Sequence, residues 1–541
     1  MLIRKKPPRS HALGEPLLHE NHPLPVTRRD FVAAGFLSGP AMVIGPAWLG
    51  ALLEASRAEA GVPLSPDIQA LLGSGQCNVP TAAGGLPFIC FDLAGGANLV
   101  GSEVLVGVQG GQTNFLSTAG YGKLGVPGNM VPTSSANIDA SLGLLWHADG
   151  AIKRGILSKA TTPATAAGTN GAVICAMSQN DTQNNPHNPM YGIAKAGAQG
   201  LLLALAGTES TVSGGNSQAP IALVDPALQP TTISQPSDAT ALVNTGGATA
   251  DPVAVAVLES QARISGGTTP YQSGNTGSFG GALSAPNGST PGVQLYSDPV
   301  TDSALKNQVR CAYVKSANTA AVFGNPAALD PTQDPNIVGG TTPIFTASDF
   351  MDNDVQKTAS VMKLVLDGFA GAGTITLGGY DYHDGTRATG EGRNFKAGQM
   401  IGAVLEYAQR VGKPVMIYVF SDGSLTSTGM VDSSTGGRGK LGWQGDNSSV
   451  ASTFFLAYSP KGRPQLRNGT AGQQIGYFGS DGSVVSTSSP AANAVNQLVQ
   501  VVILNYMGLL GTDAQFPTLF STQSLGSASA LAGLTAFARI V

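Results

Sequence analysis

The sequence predicts an α/β fold, a mostly parallel central sheet covered by helices on both faces, on three observations. Continuous apolar runs at 86–93, 172–177, 374–377 and 414–420 each stop at glycines or a polar loop, as strands buried on both faces do. Val355, Ala359, Met362, Leu366 and Phe369 recur at helical spacing, and Phe395, Ile401, Leu405 and Ala408 mark a second amphipathic helix. The order strand, helix, strand through residues 374–420 is a crossover, which joins parallel strands.

Taken in order, the chain begins with a basic stretch (Arg4, Lys5, Lys6, Arg9) and then Thr27-Arg28-Arg29-Asp30-Phe31-Val32, followed by an apolar segment to residue 53. This is the pattern of a twin-arginine signal, with a small-x-small peptidase site at Ala58-Glu59-Ala60. Gly35, Gly39, Pro40, Gly45, Pro46 and Gly50 interrupt the apolar segment and make it a poor permanent anchor. The expectation is therefore a signal peptide over residues 1–60, read by the twin-arginine export machinery and cleaved, with no stable membrane insertion afterwards. The product would be periplasmic or secreted. Residues 61–515 form the α/β domain, within which 205–300, rich in Ser, Thr, Gly, Pro and Asn, reads as an insertion with one helical piece at 252–264. Residues 491–510 read as a closing helix, and 516–541 as a C-terminal tail.

Composition excludes some functions. Of 29 Lys/Arg and 33 Asp/Glu, seven and five lie in residues 1–60, so the remainder keeps 29 − 7 = 22 basic and 33 − 5 = 28 acidic residues, a net charge of −6. That balance argues against nucleic acid as a partner. No fixed-period repeat is present, which argues against a repetitive surface protein. Of the four cysteines, Cys90 and Cys175 fall inside apolar strands, where a thiol packs as a small hydrophobe. Cys77 and Cys311 are left available for a disulfide after export.

Ligands of an open parallel sheet bind beyond the carboxyl ends of its strands. This sequence places Gly378-Gly379-Tyr380-Asp381-Tyr382-His383 after one strand, Asp422 after the next, and a loop with His187 after 172–177; Gly445-Asp446-Asn447 follows later. Three of the six histidines (His11, His19, His22) belong to the presequence, so His187 and His383 are two of only three left, with His147. Carboxylates and imidazoles gathered at strand ends are a ligand set for zinc, manganese or magnesium acting on an anionic ester. The alternative for each residue is structural: a strand-end Asp also caps the following turn.

These elements resemble an exported bacterial family, domain of unknown function 1501, related to alkaline phosphatases and sulfatases. The resemblance covers residues 85–515 and rests on the Arg-Arg-Asp-Phe signal and the GxDxH-like stretch, with FSD at 420–422 and GD at 445–446. It implies an alkaline-phosphatase-like fold, and a metal set of Asp381, His383, Asp422, Asp446 and His187. Three positions depart from the family pattern. The first acidic ligand is Asn98, the nucleophilic serine falls at Pro186, and the last histidine is Asn447. An uncharged amide is a poorer ligand than a carboxylate or an imidazole. Asp92 is the candidate replacement carboxylate, and Thr182 or Ser178 the candidate nucleophile. On this reading, Asn98→Asp and Asn447→His would raise metal affinity.

Two functions follow from the residues: a metal-dependent hydrolase of phosphate or sulfate esters, taking a small anionic substrate, or a non-catalytic exported binding or secretion-associated protein that keeps the fold. Both require export. Replacing Arg28 and Arg29 together by Lys is expected to trap full-length precursor in the cytoplasm, because the receptor reads guanidinium groups and not charge alone. Cell fractionation and immunoblotting check this; normal export of the double variant would exclude the twin-arginine route.

Overall fold

The structure, a computed structural model, describes residues 64–73, 84–178, 186–209, 212–242 and 326–541, with Glu259, Ser260, Ala262, Arg310, Cys311, Tyr313 and Val314. They divide between two compact units. One is Met1–Cys77 with Val243–Asn325, and the other Asn78–Leu242 with Pro326–Val541. In the first, the described residues include the helix Pro66–Gly73 and Cys311, which is disulfide-bonded. Cys77 and the expected signal peptide lie outside the described residues, as does most of the helix expected at 252–264. Among the described residues no helix is long and apolar enough to cross a membrane.

The second unit is built on an eight-stranded mixed sheet, mostly parallel, with helices on both faces. Its strands are β1 (Phe88–Gly95), β4 (Thr169–Ile174), β5 (Leu203–Gly207), β6 (Thr231–Thr232), β7 (Ala370–Tyr380), β8 (Val415–Ser421), β11 (Thr453–Tyr458) and β12 (Gln474–Ile475), in the order β12-β4-β11-β8-β1-β7-β5-β6. The short pair β2 (Ile138–Asp139) and β3 (Trp146–His147) and the hairpin β9 (Leu425–Val431) with β10 (Leu441–Asp446) lie apart from it. β1 runs parallel to both neighbours, pairing Leu93 with Leu377 on one side and with Ser421 on the other. β11 is antiparallel to β8 and to β4, which puts Thr453 opposite Ile174. The exits of β1, β4, β7 and β8 and the start of β11 therefore share one edge of the sheet.

The alternation along β1 sends Phe88 and Cys90 to one face and Ile89 to the other. On the first face Phe88 meets Tyr506 of the helix Val495–Leu510 edge to face, ring centres 5.9 Å apart, and Cys90 is buried as a free thiol. On the second face Gly373 leaves no room for a side chain because Val361 and Val365 of the helix Asn353–Leu366 press against it, with Ile89 alongside. That helix begins where Asp352 accepts a hydrogen bond from the Asp354 amide at 2.8 Å, a side-chain cap. It buries Val355, Ala359, Met362 and Leu366 as expected. It ends before Phe369, at Gly368 with φ 83°, a left-handed C-terminal stop.

Other boundaries differ from expectation for physical reasons. β7 runs through Gly378-Gly379 to Tyr380, because a bulge after Leu93 lets Gly95 pair with Tyr380. The stretch expected as an insertion from residue 205 starts inside the sheet, where β5 pairs with β7, and its described part to Leu242 belongs to the same unit. The expected tail is core: Phe516, Leu531 and Phe537 are buried, and Phe537 packs against Phe455 at 5.8 Å.

The helix Ala388–Arg410 lies against the helix Ala151–Lys159 at backbone contact. A Cβ on Gly398 would strike the Ile152 carbonyl, and one on Gly155 would strike the Phe395 carbonyl. Gly398→Ala is therefore expected to destabilise the protein by about 1–3 kcal/mol, the range for overpacking. Gly392→Ala in the same helix, where no described atom lies within 4 Å of the added carbon, is expected to be neutral or to stabilise by up to about 1 kcal/mol. Urea denaturation of both variants checks the contrast.

Candidate metal centre

The end of β7 places its functional side chains by alternation. Tyr380 and Tyr382 turn inward and are buried, so Asp381 and His383 turn outward. Each tyrosine hydroxyl finds an acceptor on the helix Ala388–Arg410: Tyr380 donates to the Arg393 carbonyl at 2.9 Å and Tyr382 to Asn394 Oδ1 at 3.0 Å. Asp381 Oδ1 and His383 Nε2 are 2.7 Å apart, with half the aspartate and 40% of the histidine side chain exposed. Asp446, at the end of β10, joins them, and one ligand atom from each of the three lies within 4.8 Å of the other two.

The turn Gly95-Gly96 lies between Asp381 and Asp446. Gly95 has φ 137°, and a side chain there would overlap the backbone of Tyr380 and Asp381. Gly96 donates to the Tyr380 carbonyl at 3.2 Å, and a Cβ on it would stand 3.6 Å from Asp446 Oδ1. Two carboxylates and an imidazole fit a zinc or manganese ion chemically. Tetrahedral ligands at about 2.1 Å from zinc are about 3.4 Å from one another, within the reach of exposed side chains spread over this distance.

The other expected ligands lie elsewhere or are otherwise engaged. Asp422 is buried; its Oδ1 accepts the Gly95 amide at 3.0 Å, and its carbonyl accepts Ser178 Oγ at 2.6 Å. Ser421 Oγ donates to the Leu93 carbonyl at 2.7 Å and accepts the Ala97 amide at 2.9 Å, so this Ser-Asp pair clasps the exit of β1. His187 is buried, its ring stacked on Phe420 at 5.8 Å, and burial pushes its pKa down to about 4. Its Nε2 lies 3.2 Å from Ser178 Oγ, while its Nδ1 has no hydrogen-bond partner among the described residues. Ser178 is buried as well, so the structure pairs the candidate nucleophile with the candidate ligand, and His187 does not join the exposed cluster. Thr182 lies outside the described residues.

Asp92 does not replace a missing ligand. It is buried within β1, where Oδ2 accepts the Ser217 amide at 2.7 Å and Ser217 Oγ lies 3.2 Å from Oδ1. Burial raises its pKa to about 6 against those donors. Asn98 is equally committed: Nδ2 donates to the Leu425 carbonyl at 3.2 Å, Oδ1 accepts the Val100 amide at 3.3 Å, and its own amide donates to the Tyr382 hydroxyl at 3.1 Å. Asn447 Oδ1 caps the following turn, accepting from the Ser449 amide and hydroxyl at 3.0 and 2.6 Å.

Sequence reasoning missed a buried charge network behind these loops. Glu391 accepts from Arg387 at 3.0 Å, Lys440 at 2.8 Å and Arg154 at 2.6 Å. Glu103 accepts from the Ile152 amide at 2.8 Å and from Asn394 at 3.0 Å, while Arg387 stacks over Trp443 at 4.4 Å. Burial, then the nearby Glu391, pushes the Glu103 carboxyl up; burial, then Arg387, pushes the Lys440 ammonium down. Only the spacing of Arg387 and Glu391, one helical turn apart, was visible in the sequence.

No family model, curated protein or solved structure matches the chain, so the family resemblance rests on the residues quoted for it.

The commitments of Asn98 and Asn447 set a cost in stability against the gain in metal affinity expected of Asn98→Asp and Asn447→His. Asn98→Asp removes the donor to Leu425 and buries a carboxylate beside that carbonyl, which is expected to destabilise the protein by at least about 2 kcal/mol. Asn447→His removes a turn cap worth about 1 kcal/mol. Denaturation midpoints and zinc titrations of both variants check this; a gain in zinc affinity without loss of stability would overturn the structural role assigned to the two amides.

Proposed function

We propose that this is an exported protein of alkaline-phosphatase-like fold that binds one divalent ion, zinc or manganese, through Asp381, His383 and Asp446, and that it hydrolyses phosphate or sulfate esters there. The observation that carries the reading is the convergence of two carboxylates and an imidazole, from the exits of β7 and β10, within 4.8 Å on the open edge of a mostly parallel sheet. The twin-arginine pattern at Arg28-Arg29 supports export after folding. An ion held there would supply Lewis-acid polarisation of an ester oxygen. The chain's own part is to aim Asp381 and His383 outward through the inward anchoring of Tyr380 and Tyr382.

A second reading, a non-catalytic relative that keeps the ion, is favoured by the engagement of Ser178, Asn98 and Asp422 in buried hydrogen bonds. Elemental analysis of the purified protein, with turnover of p-nitrophenyl phosphate and sulfate before and after chelation, separates the two. The hydrolase reading expects about one equivalent of transition metal, loss of metal in His383→Ala and Asp381→Ala, and a fall in turnover of about a hundredfold or more. Bound metal without turnover would favour the second reading, and a metal-free protein that regains none on dialysis would defeat both.

A further inference from the structure

Ser178 and His187 form a buried assembly whose far end is the exposed cluster. The Ser178 hydroxyl has one proton, and the 2.6 Å contact gives it to the Asp422 carbonyl. His187 Nε2–H then donates to Ser178 Oγ at 3.2 Å, and Nδ1 is left as a buried acceptor with no partner among the described residues. Phe420 lies parallel to the imidazole, at an interplanar angle of 7°. From Asp422 the chain of contacts continues through its carboxylate to the Gly95 amide. Gly95 is in turn wedged against the Asp381 backbone, and Gly96 lies beside Asp446.

We infer that His187 and Ser178 are positioning residues for the Asp381–His383–Asp446 cluster, acting through Asp422 and the Gly95-Gly96 turn. This rests on the metal reading of that cluster. A buried imidazole with an unpaired nitrogen is a poor choice for stability alone, since an unsatisfied polar atom in the interior opposes folding and an apolar side chain of similar size would not. Its geometric consequence is specific. Ser178 is held so that its proton faces the Asp422 carbonyl, which fixes the peptide whose side chain holds the turn between Asp381 and Asp446.

Cobalt(II) is the probe, because its visible absorption reports ligand geometry as well as occupancy. In the full chain, His187→Leu is expected to keep the denaturation midpoint or raise it, yet to weaken cobalt binding by about 10- to 100-fold and alter the absorption bands, the scale seen when groups supporting a metal ligand are removed. Ser178→Ala is expected to do the same to the metal, and it decides the matter should His187→Leu fail to fold. His187→Gln, whose amide nitrogen can occupy the place of Nε2, is expected to recover most of the affinity. If wild type binds cobalt and these variants bind it with unchanged affinity and spectrum, the positioning role is wrong while the metal reading stands. If the wild-type protein binds none, both are wrong.

Discussion

The parallel pairing of β1 with β7 and β8 is the constraint from which the edge of the sheet follows. With Leu93 opposite both Leu377 and Ser421, three chain exits fall side by side. Each exit must then satisfy backbone amides that the ladder has stopped pairing. Gly95 gives its amide to Asp422, Gly96 gives its amide to the Tyr380 carbonyl, and Ala97 gives its amide to Ser421. These three bonds convert sheet register into loop position. Asp381 and His383 point to solvent because the preceding strand stays paired with β1, across the bulge after Leu93, as far as Tyr380.

The parallel strands were legible because burial on both faces writes a continuous apolar run. The same rule explains a miss. β11, TFFLAY, is just as buried, but a short apolar run carries no sign of its direction or of its partners, and its antiparallel place between β8 and β4 is a tertiary fact. β5, LALAG, hid in a Gly- and Ala-rich stretch, and the hairpin that ends at Asp446 has a first strand in which only Leu425 is buried, with no buried alternation to mark it. In the candidate site, Asp381 and His383 were singled out because they follow a strand that stops at Gly378-Gly379. The roles of Asp422, Asp92 and Asn98 were not, because which loop amide meets which oxygen depends on contacts across more than 100 residues of sequence. Nor does the nine-residue separation of Ser178 and His187 reveal that the two side chains meet.

Polar groups at this edge divide by burial, and the division bears on what each can do. Breaking a buried ion pair by removing one partner costs about 3–5 kcal/mol, so Glu391, with Arg387 and Lys440 against it, holds one arrangement. Asn394 carries that rigidity outward, since it touches Glu103 on one side and receives the Tyr382 hydroxyl on the other. Asp92 and Ser217 do the equivalent for the segment after β5.

The Asp381–His383 contact belongs to the opposite class. With about half of each side chain in water, such a pair contributes about 0–1 kcal/mol. Exchanging it for bonds to a cation therefore sacrifices little folding stability, whereas the tyrosines beneath it cannot move without leaving buried hydroxyls unpaired. On the proposed reading, a site that admits an ion and a substrate needs ligands that rearrange easily on a backbone that does not. At this edge Asp381, His383 and Asp446 are exposed, and the backbone that carries the first two is anchored through Tyr380, Tyr382 and Gly95.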